Sequence, residues 1–121
     1  LHWQQARQRA KKRILQLRLL PNLHIFDEQI NTQATFPFLI CFVENERLCQ
    51  KILDELWCSG LGITKLFVRS ISHYPALSHI HADTPNATRF AAQSFTISNS
   101  AWLEDDDFQI IFKVLEKILA T

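Results

Sequence analysis

Residues 60–69 read Gly60-Leu61-Gly62-Ile63-Thr64-Lys65-Leu66-Phe67-Val68-Arg69, and they hold both glycines of the 121-residue chain. A helical pattern runs into this stretch and a β-type run leaves it. Upstream, Leu48, Cys49, Ile52, Leu56 and Trp57 recur at helical spacing, with Glu46, Lys51, Asp54 and Glu55 on the other side. Asn45 stands before them as an N-cap. Gly60 sits where a helix end calls for a left-handed residue, and Gly62 opens the turn after it. Leu66 to Val68 is expected as the core of a strand that ends at Arg69. A loop carrying His73, His79 and His81 follows, over residues 70–83.

Farther out, Phe36-Pro37-Phe38-Leu39-Ile40-Cys41-Phe42-Val43 is apolar at every position. A strand of that kind is expected to be central, with both faces covered. Leu23 to Phe26 and Phe95 to Ser98 read as short strands. Trp3, Ala6, Ala10, Ile14 and Leu17 mark one face of an N-terminal helix that stops at Pro21-Asn22. Thr84-Pro85 starts another helix in the favoured manner, with Ala87, Phe90 and Ala91 on its face. The last helix has Glu104 to Asp107 at its positive end and Lys113 and Lys117 toward its negative end. Phe108, Ile111, Phe112, Leu115, Ile118 and Leu119 form its buried side. Strands and helices mixed in so short a chain predict a layered α+β fold, with residues 1–121 as one domain.

A net charge of +1 argues against a generally basic nucleic-acid binder. The charge is nevertheless uneven, because Arg7, Arg9, Lys11, Lys12, Arg13 and Arg18 crowd the first helix without an acid among them. Such a run is either a solvated helix face or a phosphate-binding patch. Cys41, Cys49 and Cys58 show no metal-type spacing and read as reduced core cysteines of a cytoplasmic protein. No apolar run has the length of a membrane span. The chain contains no Met, even at position 1, so it is expected to be a processed chain or a piece of a larger protein.

Several constellations carry chemistry in principle. His73, His79 and His81 are candidate metal ligands, although no second cluster completes a known spacing. Asp105-Asp106-Asp107 attracts divalent cations, but helix-dipole stabilisation accounts for it without one. Ser70, Ser72 and His73 are neighbours without the GxSxG turn of an α/β-hydrolase. Arg69, at the mouth of the long loop, offers a guanidinium for a phosphate or carboxylate.

The segment from Gly60 through Arg69 to Ser70-Ile71 resembles a G-I-G-V-S-R-L-Y-P-R-P-L pattern of the DegT/DnrJ/EryC1/StrS sugar aminotransferases. The likeness extends over nearly the whole chain. Arg7-Gln8-Arg9-Ala10 onward is similar to the family's long helix, and Phe36 to Val43 to its F-x-V-type strand. Phe95 to Leu103 is similar to its L-S-L-P-x-H-P-x-L segment, with Ser98 and Ser100 where Pro and His stand in the pattern. Val68 and Ser70 likewise replace the prolines around Arg69. The resemblance implies the C-terminal small domain of a fold-type I enzyme dependent on pyridoxal phosphate (PLP). Such a domain is two-layered, with a three- to four-stranded, mainly antiparallel sheet under helices.

By the same resemblance, the parent would be a homodimer that transaminates a nucleotide-linked keto sugar at the expense of an amino donor. The Schiff-base lysine would lie in a missing N-terminal large domain, so Lys65 does not take that role, and this chain alone would bind no cofactor. Arg69 and His73 are the implied substrate-side contacts. The alternatives from the residues themselves are a free-standing α+β ligand-binding or regulatory module, and a phosphate or nucleic-acid binder working through the basic helix.

Overall fold

The computed structural model describes residues 2–120. Among these residues are four α-helices and four strands, in the order α1 His2–Leu17, β1 Leu23–Ile25, β2 Phe38–Val43, α2 Glu46–Leu56, β3 Ile63–Thr64, α3 Pro85–Gln93, β4 Ser94–Ser98 and α4 Asp105–Leu119. The strands form one sheet in the order β1-β2-β4-β3. Every neighbouring pair is antiparallel. The predicted two-layer α+β class is therefore observed, with the sheet antiparallel throughout.

Register sorts the sheet residues onto two faces. Leu23 opposes Val43, Ile25 opposes Cys41, Cys41 opposes Phe95, and both Leu39 and Ile63 oppose Ile97. These side chains meet Ala10, Ile14 and Leu17 of α1, Cys49, Ile52 and Leu56 of α2, and Phe108, Ile111 and Leu115 of α4 in one core. The other face pairs His24 with Phe42, Phe38 with Ser98, Ile40 with Thr96, and Thr64 with Thr96. It is half apolar and half hydroxyl, and Thr64 Oγ1 lies 2.8 Å from Thr96 Oγ1.

Two expectations need correction here. β2 is central, as predicted, but it is not equally covered on both sides. Its burial alternates, with Leu39, Cys41 and Val43 buried and Phe38, Ile40 and Phe42 half-buried. Three helices occupy one face, whereas α3 leans on the other through Phe90, whose ring stacks on Phe42 at 6.3 Å. Residues 66–68 are not a strand. The ladder stops at Thr64 opposite Thr96, and continuing its register would set Phe67 and Val68 against Gln93 and Ala92, which already belong to α3. Leu66, Phe67 and Val68 are exposed as a result.

The capping predictions fare better. Asn45 Oδ1 accepts the Leu48 N–H at 2.9 Å. Gly60 is left-handed (φ 79°), although it ends a short 3₁₀ turn, Trp57–Ser59, that extends α2. That turn carries Trp57 outward rather than onto the buried face. Trp3 and Ala87, also expected on buried faces, are exposed too.

The basic helix is the clearest departure from a solvated face. Arg7 pairs with Glu28, Lys11 with Asp27 and Glu28, Arg18 with Asp27, and Lys12 with Asp105. Arg9 donates to the Asn99 carbonyl at 2.7 Å. Arg13 is only 1% exposed. Its guanidinium donates to the Leu103 carbonyl and lies 5.0 Å over the Phe108 ring. Burial lowers the Arg13 pKa, and the Asp105 carboxylate opposes that shift. The cations that looked free in the sequence mostly hold α1 to the 27–35 loop and to the start of α4.

This network makes the loop acid-sensitive. Arg7 and the Ala34 N–H hold the Glu28 carboxyl at about 2, below its ordinary 4.5. Burial pushes Asp27 upward, but Lys11, the Glu28 N–H and Arg18 outweigh it, so Asp27 is lowered as well. A carboxylate lowered on folding adds stability above its unfolded pKa, and that stability is lost as pH falls through the folded value. The protection of the Ala34 amide, its exchange relative to the intrinsic rate at each pH, should therefore fall as pH drops from 4.5 toward about 2. The α2 and α4 amides should stay protected longer. Glu28→Gln should show fast Ala34 exchange already at neutral pH; unchanged protection in that variant would refute the tether.

Candidate functional site

The site residues expected from sequence lie on the connection between β3 and α3. Two short 3₁₀ turns, Ile71–His73 and Pro75–Leu77, punctuate it. Arg69 does not end a strand. It is exposed on a bend, and among the described residues it has no hydrogen-bond or ion-pair partner. His73 is better placed, on the ridge between two open hollows. One, of about 520 Å³, is lined by Glu46, Asp83, Thr84, Thr88, Arg89 and Gln93 among others. The other, of about 570 Å³, is shared by His73 with Ser72, Ser78, His81 and Asp83. Arg69 lines neither hollow.

His73 has a defined inner contact. Its Nδ1 is 3.1 Å from Ser70 Oγ, which is also 3.1 Å from Thr88 Oγ1 on α3. Ser70 is buried at 6% exposure. Sequence reasoning noticed Ser70 beside His73 but missed Thr88 and Arg89. Both sit on α3, and only the fold of the loop over α3 joins them to the site. His73, His79 and His81 do not assemble a metal centre: among the described residues no cluster of three or more His, Cys, Asp or Glu has that geometry. All three cysteines are free; Cys41 and Cys49 are buried, but Cys58, expected in the core, is exposed because it lies on the 3₁₀ turn beyond the end of α2. No described helix is long and apolar enough to cross a membrane.

An aromatic row adjoins the site on the second face of the sheet. His24 meets Phe26 at 5.1 Å, Phe26 meets Phe90 at 5.8 Å, and Phe67 meets Phe90 at 5.9 Å. Phe26, Leu66, Phe67, Val68, Ile71 and Tyr74 are each at least 40% exposed. Large apolar side chains gathered on one region of surface are what partner-covered faces commonly show.

An antiparallel sheet with helices α1, α2 and α4 on one face and the β3–α3 loop along the other is an arrangement that recurs in solved aminotransferases. No protein-family model matches the sequence. No curated protein matches it either. Similarity to solved structures is extensive. The chain superposes on the Spr1654 protein of Streptococcus pneumoniae, described as a sugar aminotransferase and solved in its PMP form, with TM-score 0.81 and 15% identity. That match covers 98% of this chain and 31% of the other. The aminotransferase TlmJ from Streptoalloteichus hindustanus gives TM-score 0.78 at 16% identity, over 97% of this chain and 31% of that one. A DegT DnrJ EryC1 StrS aminotransferase from Brucella abortus gives 0.71 at 13% identity, over 97% and 31%. At these identities the likeness establishes the fold, and it bears out the resemblance read from sequence at that level. The chain spans about 31% of the length of these structures.

Proposed function

We propose that this chain is the C-terminal small domain of a PLP-dependent aminotransferase of the DegT/DnrJ/EryC1/StrS kind. In the full protein it forms one wall of a cleft in which a nucleotide-linked keto sugar receives an amino group from a donor. The observation that carries this reading is a fold match over nearly the whole chain to aminotransferases of which it spans about a third. The exposed aromatic row supports it, as the surface that a larger N-terminal domain would cover. The homodimeric state and cytoplasmic setting belong to the same reading; free, mostly buried cysteines agree with the latter.

PLP supplies the electron sink for amino transfer when it is bound. In this reading the chain itself holds no cofactor. Two observations agree with it: Lys65 lines neither hollow beside His73, and Gly60 ends the turn after α2 while Gly62 leads into β3. The large domain is the place for the cofactor. The role left to this chain is substrate contact, through His73 at the hollow and Arg69 on the adjoining bend.

PLP titrated into the isolated chain should keep the absorbance of the free cofactor. A stoichiometric, stable spectral change with amino-transfer turnover would overturn the assignment and favour a self-contained module. In the full-length protein, Arg69→Gln and His73→Ala should each raise KM for the nucleotide-linked sugar about tenfold, the worth of one charge-assisted hydrogen bond. Unchanged kinetics in both would remove these residues from the substrate side.

A further inference from the structure

We infer that Ser70 and Thr88 are positioning residues. Together they hold the His73 ring so that its Nε2–H faces the hollow as a hydrogen-bond donor to a ligand oxygen. The inference rests on the substrate-side reading of His73 for its functional meaning, but its geometry stands without that reading.

Ser70 immediately precedes the Ile71–His73 turn and occupies its N-cap position. Its backbone does the usual work there, since the Ser70 carbonyl accepts the His73 N–H at 3.0 Å. Its side chain does not cap the turn. The hydroxyl instead spans from His73 Nδ1 to Thr88 Oγ1, at 3.1 Å on each side. A serine at 6% exposure with both contacts filled is costly to rearrange, because a buried hydroxyl left without a partner is destabilising.

Donor accounting sets the direction of the chain of bonds. Each hydroxyl carries one proton, and a neutral imidazole carries one on either nitrogen. Among the described residues Thr88 Oγ1 has no acceptor other than Ser70. The order we assign is Thr88 donating to Ser70 and Ser70 donating to His73 Nδ1, the one that gives both hydroxyl protons a protein acceptor; the opposite order would turn the Thr88 proton to the solvent of the hollow. Nδ1 is then an acceptor, and the ring proton resides on Nε2. His73 is exposed, and Asp83 lines both hollows beside it. The ring thus has its inner edge fixed and its outer edge free to meet a ligand. A ligand oxygen of a hydroxyl, carbonyl or phosphate is the chemistry that an Nε2–H recognises.

The test is ¹⁵N-resolved imidazole spectroscopy of the whole chain at a pH of about 8, where an ordinary imidazole is neutral. His79 and His81, exposed in the same loop, serve as internal references. His73 should show a single Nε2–H tautomer with a hydroxyl-bonded Nδ1, distinct from both references. Ser70→Ala should move His73 to the references' signature. Thr88→Val, which keeps the shape of the side chain, should move it part of the way, and Ser70→Thr should preserve it. If Ser70→Ala disturbs the loop, Thr88→Val still decides the matter. A native His73 that matches His79 and His81, or one that carries its proton on Nδ1, would overturn the inference, as would no response to either variant.

The full-length protein adds the functional arm, with uridine diphosphate glucose as the binding probe. Ser70→Ala should weaken probe binding up to the roughly tenfold loss expected for His73→Ala, and the double variant should be no worse than His73→Ala alone. An intact tautomer lock with probe binding indifferent to His73→Ala would confirm the relay and overturn only the substrate-side reading.

Discussion

Asn99→Ala is expected to destabilise the chain by about 3 kcal/mol, the loss of two buried hydrogen bonds with their acceptors left unpaired. Asn99 is 3% exposed and follows directly on β4. Its Nδ2 donates to the carbonyls of Ala6 and Phe36, each at 2.8 Å. Its own backbone carbonyl accepts from Arg9. One residue therefore joins α1, the approach to β2 and the exit of β4. Phe36 has positive φ (50°), an uncommon conformation for a bulky residue, and the Asn99 bond helps to hold it. Asn99→Asp should be comparably harmful, since a carboxylate cannot donate to two carbonyls. The nearby Ser100→Ala, which loses only a partly exposed hydroxyl contact to Ser98, should stay within about 0.5 kcal/mol. Urea unfolding separates these outcomes. Equal midpoints for Asn99→Ala and Ser100→Ala would show that Asn99 does not join the three elements.

Gly62→Ala should be of similar severity, again about 3 kcal/mol, from backbone strain plus overpacking. Gly62 has φ 79°, and an added Cβ would fall 2.7 Å from Ser98 Cβ and 3.0 Å from the Trp102 ring. The obstruction at Ser98 cannot move aside readily, because the Gly62 carbonyl accepts the Ser98 N–H at 2.9 Å and extends the β3–β4 pairing. Trimming Trp102 in the same variant should therefore recover only part of the loss. Gly60 is the control. It has the same φ of 79°, but a methyl group added there would meet nothing within 4 Å. Gly60→Ala should therefore cost only the conformational penalty, about 1 kcal/mol. Thermal unfolding of the two variants side by side measures the difference. Equal losses would mean that close approach to β4 contributes nothing at Gly62.

These two glycines also show how far local reading reaches. Gly60 is legible in the sequence as a left-handed stop after a helix. Gly62 is legible as a turn, but its tighter requirement comes from Ser98 and Trp102, distant in the chain. The same division runs through the candidate site. Ser70 and His73 are near neighbours in sequence, yet their partner Thr88 lies on a helix that the loop reaches only by folding over the second sheet face. Arg69 reads as a strand end because Leu66-Phe67-Val68 is apolar. An apolar run cannot reveal that its pairing partner has already turned into α3.

By itself the sequence determined the elements whose causes are local. Period and end signals located α2 and α4, short apolar runs located β1, β2 and β4, and the order of motifs pointed to an aminotransferase-type α+β fold. Tertiary structure alone decided what the charges and hydroxyls do. Six basic residues read as a free face, but most of them are matched by Asp27, Glu28, Asp105 and the Asn99 carbonyl. The reason is physical: helix and strand periodicity is written in neighbours a few residues apart, whereas ion pairs, relays and close backbone approaches join residues that become neighbours only when the sheet closes.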